Sequence, residues 1–103
     1  MITLNDATFK TEVLESDVPV LVDFWASWCR PCNVLTPVLE KVAGECPDCK
    51  VGKINIDENQ ETPKNYSVGS IPTLIFFKGG KEVKRMIGLQ DAQTIAQALQ
   101  GLK

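Results

Sequence analysis

Four cysteines fall in two Cys-x-x-Cys pairs, Cys29-Arg-Pro-Cys32 and Cys46-Pro-Asp-Cys49, and they carry the only concentrated reactive chemistry of the chain. One thiol of such a pair can attack a disulfide while its neighbour resolves the product, which makes a two-electron couple. The chain has no histidine, so it contains no Ser-His or Cys-His nucleophile pair and no imidazole metal ligand. What remains is thiol–disulfide exchange or thiolate ligation of a metal.

The elements flanking the first pair favour exchange. Residues 18–25, Val-Pro-Val-Leu-Val-Asp-Phe-Trp, are rich in β-branched and aromatic types and read as a buried strand. Downstream, Val34, Leu35, Val38, Leu39 and Val42 recur at helical spacing. Pro31 suits a first helical turn, where its missing N–H would have had no partner. Cys29 is thus expected just ahead of a helix N-terminus, where unpaired N–H groups and the helix dipole favour its thiolate, the nucleophilic form. Cys32, one turn inside, can reach back and close a small ring. Pro37 lies within the helix and is expected to kink it.

The rest of the chain supplies a frame. Ile2 to Leu4 reads as a short edge strand, and Asn5 as the cap of a helix to about Glu15 that buries Phe9, Val13 and Leu14. Lys50 to Ile56 predicts a second central strand. Residues 57–66 are polar, contain Pro63, and predict only a short irregular helix. Ile71 to Phe77 is a strand opening on proline, Gly79-Gly80 signals a hairpin, and Lys81 to Ile87 returns to Gly88. Asp91 caps a last helix with Ile95, Leu99 and Leu102 on one face. The order βαβαβα then ββα implies parallel pairs joined by helical crossovers, followed by an antiparallel hairpin.

Composition narrows the partners. The 103 residues suit one domain, 1–103, with 44% hydrophobic and 23% charged residues as in an ordinary globular protein. A net charge of −2 offers no attraction to nucleic acid or to an anionic membrane. No basic-then-apolar leader is visible and no apolar run nears the roughly 18 residues of a membrane span, so a cytoplasmic location is expected.

The second pair admits three readings: inert thiols or an incidental disulfide first, a regulatory redox switch second, metal ligation third. Pro-Asp at its centre suits a type I turn, which brings the outer Cα atoms within about 7 Å, near enough for a disulfide. Together the four cysteines read C-x2-C-x13-C-x2-C, close to a four-cysteine zinc spacing. A helix between Cys32 and Cys46 would nevertheless hold them roughly 21 Å apart. One closed metal site would break that helix, and direct exchange between the pairs of one molecule is equally disfavoured.

Several stretches in this order resemble the thioredoxin family along the whole chain: Val22-Asp-Phe-Trp-Ala26, Trp28-Cys-Arg-Pro-Cys32, Pro37, Lys53-Ile-Asn-Ile-Asp57, Ile71-Pro-Thr73, Phe77-Lys-Gly79 and Gly88. The resemblance implies an α/β thioredoxin fold, a mixed sheet of about five strands flanked by about four helices. It also implies a protein-disulfide reductase and dithiol electron carrier, in which Cys29 is the exposed attacking thiolate and Cys32 the resolving thiol. Asp23 then reads as a buried acid of raised pKa that accepts the Cys32 proton, against the plainer reading of a solvent-exposed strand end. Lys53 reads as the lysine that tunes it, or as a plain surface lysine. The resemblance further implies a cis bond before Pro72, with the backbone ahead of it pairing with an extended substrate, and an apolar contact surface of Trp28, Ile71 and Gly88. Phe24 and Trp25 are left to packing.

By the same resemblance no cofactor or metal is needed, the partners are a thioredoxin reductase and disulfide-containing client proteins, and the chain is a monomer. Arg30 departs from the family, which usually has glycine there. Beside Pro31 it places a cation next to Cys29, with an expected effect of about 1 kcal/mol or less toward a more oxidising couple. Ser27 and Ser70 also depart, which touches partner preference. The rival readings are a thiol oxidase or isomerase of the same fold, a zinc-stabilised module, and a non-catalytic interaction subunit.

Overall fold

The computed structural model describes residues 1–103. Five strands, β1 (Ile2–Leu4), β2 (Val20–Trp25), β3 (Lys50–Asn55), β4 (Thr73–Lys78) and β5 (Lys81–Ile87), form one sheet in the order β1-β3-β2-β4-β5. Three helices, α1 (Arg30–Glu45), α2 (Glu61–Asn65) and α3 (Ala92–Gln100), and a π-helical turn at Lys10–Leu14 complete the chain. β1 and β2 run parallel to β3, whereas β4 is antiparallel to β2 and β5 to β4. This is the mixed α/β thioredoxin fold that the motifs imply. No helix is long and apolar enough to cross a membrane.

Successive strand residues point to opposite faces, and the two faces of β2 feed two cores. Leu21 packs with Leu35, Leu39 and Val42 of α1 and with Ile95 and Leu99 of α3. Val20, Val22 and Phe24 pack on the other side with Phe9, Val13, Ile75 and Phe77. Asp23 shares the parity of Leu21, so the one carboxylate of this central strand is directed to the α1 side. β5, at the edge, carries Lys81, Glu82, Lys84 and Arg85, charges that discourage edge-to-edge pairing.

Two local expectations are revised. The first helix is shorter than 5–15. Asn5 closes only a local turn, accepting from the Thr8 N–H at 2.9 Å, and the chain then widens, from Phe9 and without a side-chain cap, into a turn closed by Glu15 N–H donating to the Lys10 carbonyl, which lets Phe9 and Val13 reach the core together. β4 starts at Thr73, because Pro72 has no N–H for the ladder, although its carbonyl accepts from Gly88 N–H at 2.9 Å. α1 contains Pro37 within its 16 residues. The β4–β5 turn uses Gly79 and Gly80 at positive φ, and a Cβ on Gly80 would lie 2.7 Å from the Leu14 carbonyl oxygen.

Candidate active site

The exit of β2 and the start of α1 meet at Ala26-Ser-Trp-Cys29. Cys29 is the N-cap of α1, with Pro31 in the first turn, and its Sγ accepts from the Cys32 N–H at 3.2 Å. The two sulfurs are joined as a disulfide across a Cα–Cα distance of 5.3 Å. No acidic residue stands in the first turn, so nothing offsets the positive helix end that would face a Cys29 thiolate. Arg30 projects into solvent beside it.

Cys29 is not the exposed residue that was expected. It is only 5% accessible and Cys32 is fully buried, because the closed disulfide folds both onto Ala26, with Trp25, Ile56 and Ile71 packed around them. The prominent group is Trp28, 68% exposed, whose indole N–H donates to Asp57 Oδ2 at 2.8 Å. The sequence reading gave Asp57 no role beyond its place in the Lys53–Asp57 stretch, since nothing in its spacing ties it to a tryptophan 29 positions away.

Of the two readings of Asp23, the structure supports the buried one. The residue is 1% exposed, and Oδ1 is the one buried side-chain oxygen or nitrogen of the protein without a hydrogen-bond partner. Burial pushes its pKa from 3.8 up to about 7, against the opposing pull of the Lys53 charge. Lys53 lies directly opposite Asp23 in the β2–β3 register. Its ammonium sits over the Trp25 ring, 4.9 Å from the centroid, and forms no ion pair with Asp23, so Trp25 does more than pack.

Across from the cysteines the Ile71–Pro72 bond is cis. A groove of about 320 Å³ is lined by Trp28, Ile56, Val68, Gly69, Ser70 and Ile71. It brings Trp28 and Ile71 together as expected, but Gly88 stands outside it, held behind Pro72 by its N–H at φ +87°. Ile56 and Val68 carried no signal that would have singled them out from core residues. A larger depression of about 510 Å³ between α1 and α3 is lined by Lys41, Glu45, Ala92, Gln93, Ala96, Gln97 and Gln100 and holds no nucleophile.

Cys46 and Cys49 form a second disulfide past the far end of α1, with Cα atoms 5.4 Å apart. The intact helix keeps the two pairs at its opposite ends, and no group of three or more His, Cys, Asp or Glu side chains is placed to hold a metal.

What the first pair can do is pass two electrons between its own sulfurs and another disulfide. A chain built this way is a dithiol–disulfide oxidoreductase. The thioredoxin family model matches residues 1–101. The chain is 50% identical over 93 residues to the thioredoxin of Rickettsia typhi, covering 89% of each chain. It is 50% identical over 99 residues to the thioredoxin of Mycobacterium tuberculosis, covering 95% of this chain and 85% of that one. With thioredoxin 1 of Nostoc it shares 48% over 98 residues, 94% of this chain and 92% of the other. It belongs to the thioredoxin family, whose members exchange dithiols for disulfides through such a cysteine pair.

Proposed function

We propose that the protein is a general protein-disulfide reductase and dithiol electron carrier, working as a single-domain monomer, 1–103. In the reduced form the Cys29 thiolate attacks one sulfur of a client disulfide, and the client's other sulfur leaves as a thiol. Ionised Asp23 takes the proton of Cys32, whose thiolate attacks Cys29 Sγ and releases the second client thiol. Two electrons pass to the client and the Cys29–Cys32 disulfide remains. A thioredoxin reductase restores the dithiol, since the chain has no glycine-rich phosphate cradle for a nucleotide of its own. No cofactor beyond the cysteine pair is required.

The observation that carries this reading is the Cys29–Cys32 disulfide at the head of α1, with Cys29 Sγ as its cap acceptor. Asp23 supports it, being buried on the same side of the sheet and poised near neutrality, with Lys53 tuning it. The backbone before Pro72 receives an extended client segment, while Trp28 and Ile71 offer it apolar contact and Gly88 fixes Pro72 from behind. Arg30 favours the Cys29 thiolate and makes the couple slightly more oxidising, without turning a reductase into an oxidase. A reducing compartment, the cytoplasm, suits such a cycle.

The test is dithiothreitol-driven reduction of insulin disulfides. Cys29→Ser is expected to lose it entirely, while Cys46→Ser and Cys49→Ser keep it; equal activity in Cys29→Ser refutes the mechanism.

A further inference from the structure

The reaction above leaves Cys46 and Cys49 without a role, yet their surroundings invert those of the first pair. We propose that Cys46–Cys49 is a second redox couple, opened only through attack on Cys49 by a small thiol or dithiol, and with a midpoint well below that of Cys29–Cys32.

The two pairs occupy opposite poles of one helix. Cys29 caps the positive end of α1, whereas Cys46 caps the negative end, where the last carbonyls collect and no basic residue stands in the final turn. Cys46 is 1% exposed, within the core cluster that contains Leu39, Val42 and Val51. A thiolate there lacks both solvent and a favourable dipole. The flanking charges give no relief. Glu45 precedes it, Asp48 is taken by Lys103 at 3.2 Å, and Lys50 is taken by the Glu12 carboxylate at 3.8 Å and the Glu12 carbonyl at 3.1 Å. The reduced first pair is stabilised by its thiolate and the reduced second pair is not, so the second couple must lie lower.

Burial also sets the route. Cys49 is only partly buried, and its N–H closes the turn on the Cys46 carbonyl at 3.0 Å. A dithiol thiolate therefore attacks Cys49 Sγ and the Cys46–Cys49 bond breaks. Cys46 leaves with the electron pair and takes a proton from solvent. The second sulfur of the dithiol then attacks the mixed disulfide, releasing Cys49 and departing as a disulfide, two electrons poorer. Cys46 is a poor leaving group in its apolar site, so the first step is slow. The first pair of the same molecule cannot serve as the reductant, because α1 holds Cys32 and Cys46 roughly 21 Å apart. Through the cycle of the first pair, the second stays closed and ties the end of α1 to the start of β3.

The experiment is a titration of the full chain in dithiothreitol buffers of graded ratio at neutral pH. Samples are quenched by alkylation and each pair is mapped by mass. Half-reduction of Cys46–Cys49 is expected to need at least a tenfold higher ratio of reduced to oxidised dithiothreitol than Cys29–Cys32, about 30 mV lower. A separation under tenfold, the reverse order, or failure of Cys46 and Cys49 to pair at any ratio overturns the proposal. For the route, a Cys29→Ser/Cys32→Ser chain is exposed to glutathione and quenched in acid. An adduct on Cys49 is expected; one on Cys46, or none on either, refutes attack at the more accessible sulfur.

Discussion

Replacing Asp23 by asparagine probes the one place where the core is left unsatisfied. In the folded protein the Asp23 pKa stands at about 7 rather than 3.8, raised by burial against the opposing Lys53 charge. The folded state thus holds this proton more tightly than the unfolded chain. The contribution is fully present below about pH 4 and is lost as the pH rises through 7. Between those limits the unfolding free energy of the parent should fall, relative to Asp23→Asn, by up to about 1.4 kcal/mol per pH unit. Summed over the interval this is roughly 4 kcal/mol, an upper value because water entry and relaxation soften burial penalties. The asparagine amide also meets no hydrogen-bond partner, at a pH-independent cost of about 1–3 kcal/mol. The slope, not the offset, is therefore diagnostic. Urea denaturation of the oxidised forms from pH 4 to 9 measures it. Two curves separated by a constant between pH 5 and 8 would refute the buried, titrating acid.

Other substitutions test the frame and the groove. Asp6 accepts from Thr62 N–H at 2.9 Å, Thr62 Oγ1 at 2.7 Å and Glu61 N–H at 3.3 Å, so Asp6→Ala should cost about 1–2 kcal/mol in urea denaturation. Gly88→Ala meets open space and costs only its positive φ, about 1–2 kcal/mol, whereas Gly80→Ala also drives a methyl to within 2.7 Å of the Leu14 carbonyl and should cost distinctly more by the same measurement. Trp28→Ala removes an exposed ring held by Asp57, and should raise KM for a protein disulfide severalfold while shifting Tm by no more than a few degrees.

Element order and strand direction were legible because they rest on local signals. The apolar run before Cys29, the helical spacing after Pro31, Gly79-Gly80 and Asp91 each act within a few residues. Cys29 at a helix head followed from the first two of these together with Pro31. The fate of Asp23 did not, because an acid near a strand end is exposed or buried according to what flanks the strand. β2 turned out to be central, between β3 and β4, with α1 above it. The register set Lys53 opposite Asp23, yet its side chain lies over Trp25, a choice made by ring and ammonium rather than by spacing. The Trp28–Asp57 bond and the groove positions of Ile56 and Val68 depend on loops meeting across the sheet end, and no periodicity encodes such meetings.

Elsewhere the fold satisfies its buried polar groups. Thr73 Oγ1 donates to the Ser70 carbonyl at 2.6 Å, and Asn59 bridges the Asp6 N–H and the Asn55 carbonyl. Asp23 Oδ1 is the exception, and it belongs to the group to which the proposed resolving step assigns the Cys32 proton. A cost of a few kcal/mol is a large share of the roughly 5–15 kcal/mol that holds a domain together. It is tolerable here because both faces of β2 are packed by long apolar side chains. If the unpaired carboxylate serves exchange, relieving it must trade one property for the other. Relative to the parent, Asp23→Asn should be more stable at pH 8 than at pH 5 and, in the same samples, resolve the Cys29 mixed disulfide more slowly. A variant whose stability advantage over the parent grows with pH but that resolves as fast as the parent would separate the buried acid from the chemistry, leaving Cys32 to lose its proton to water.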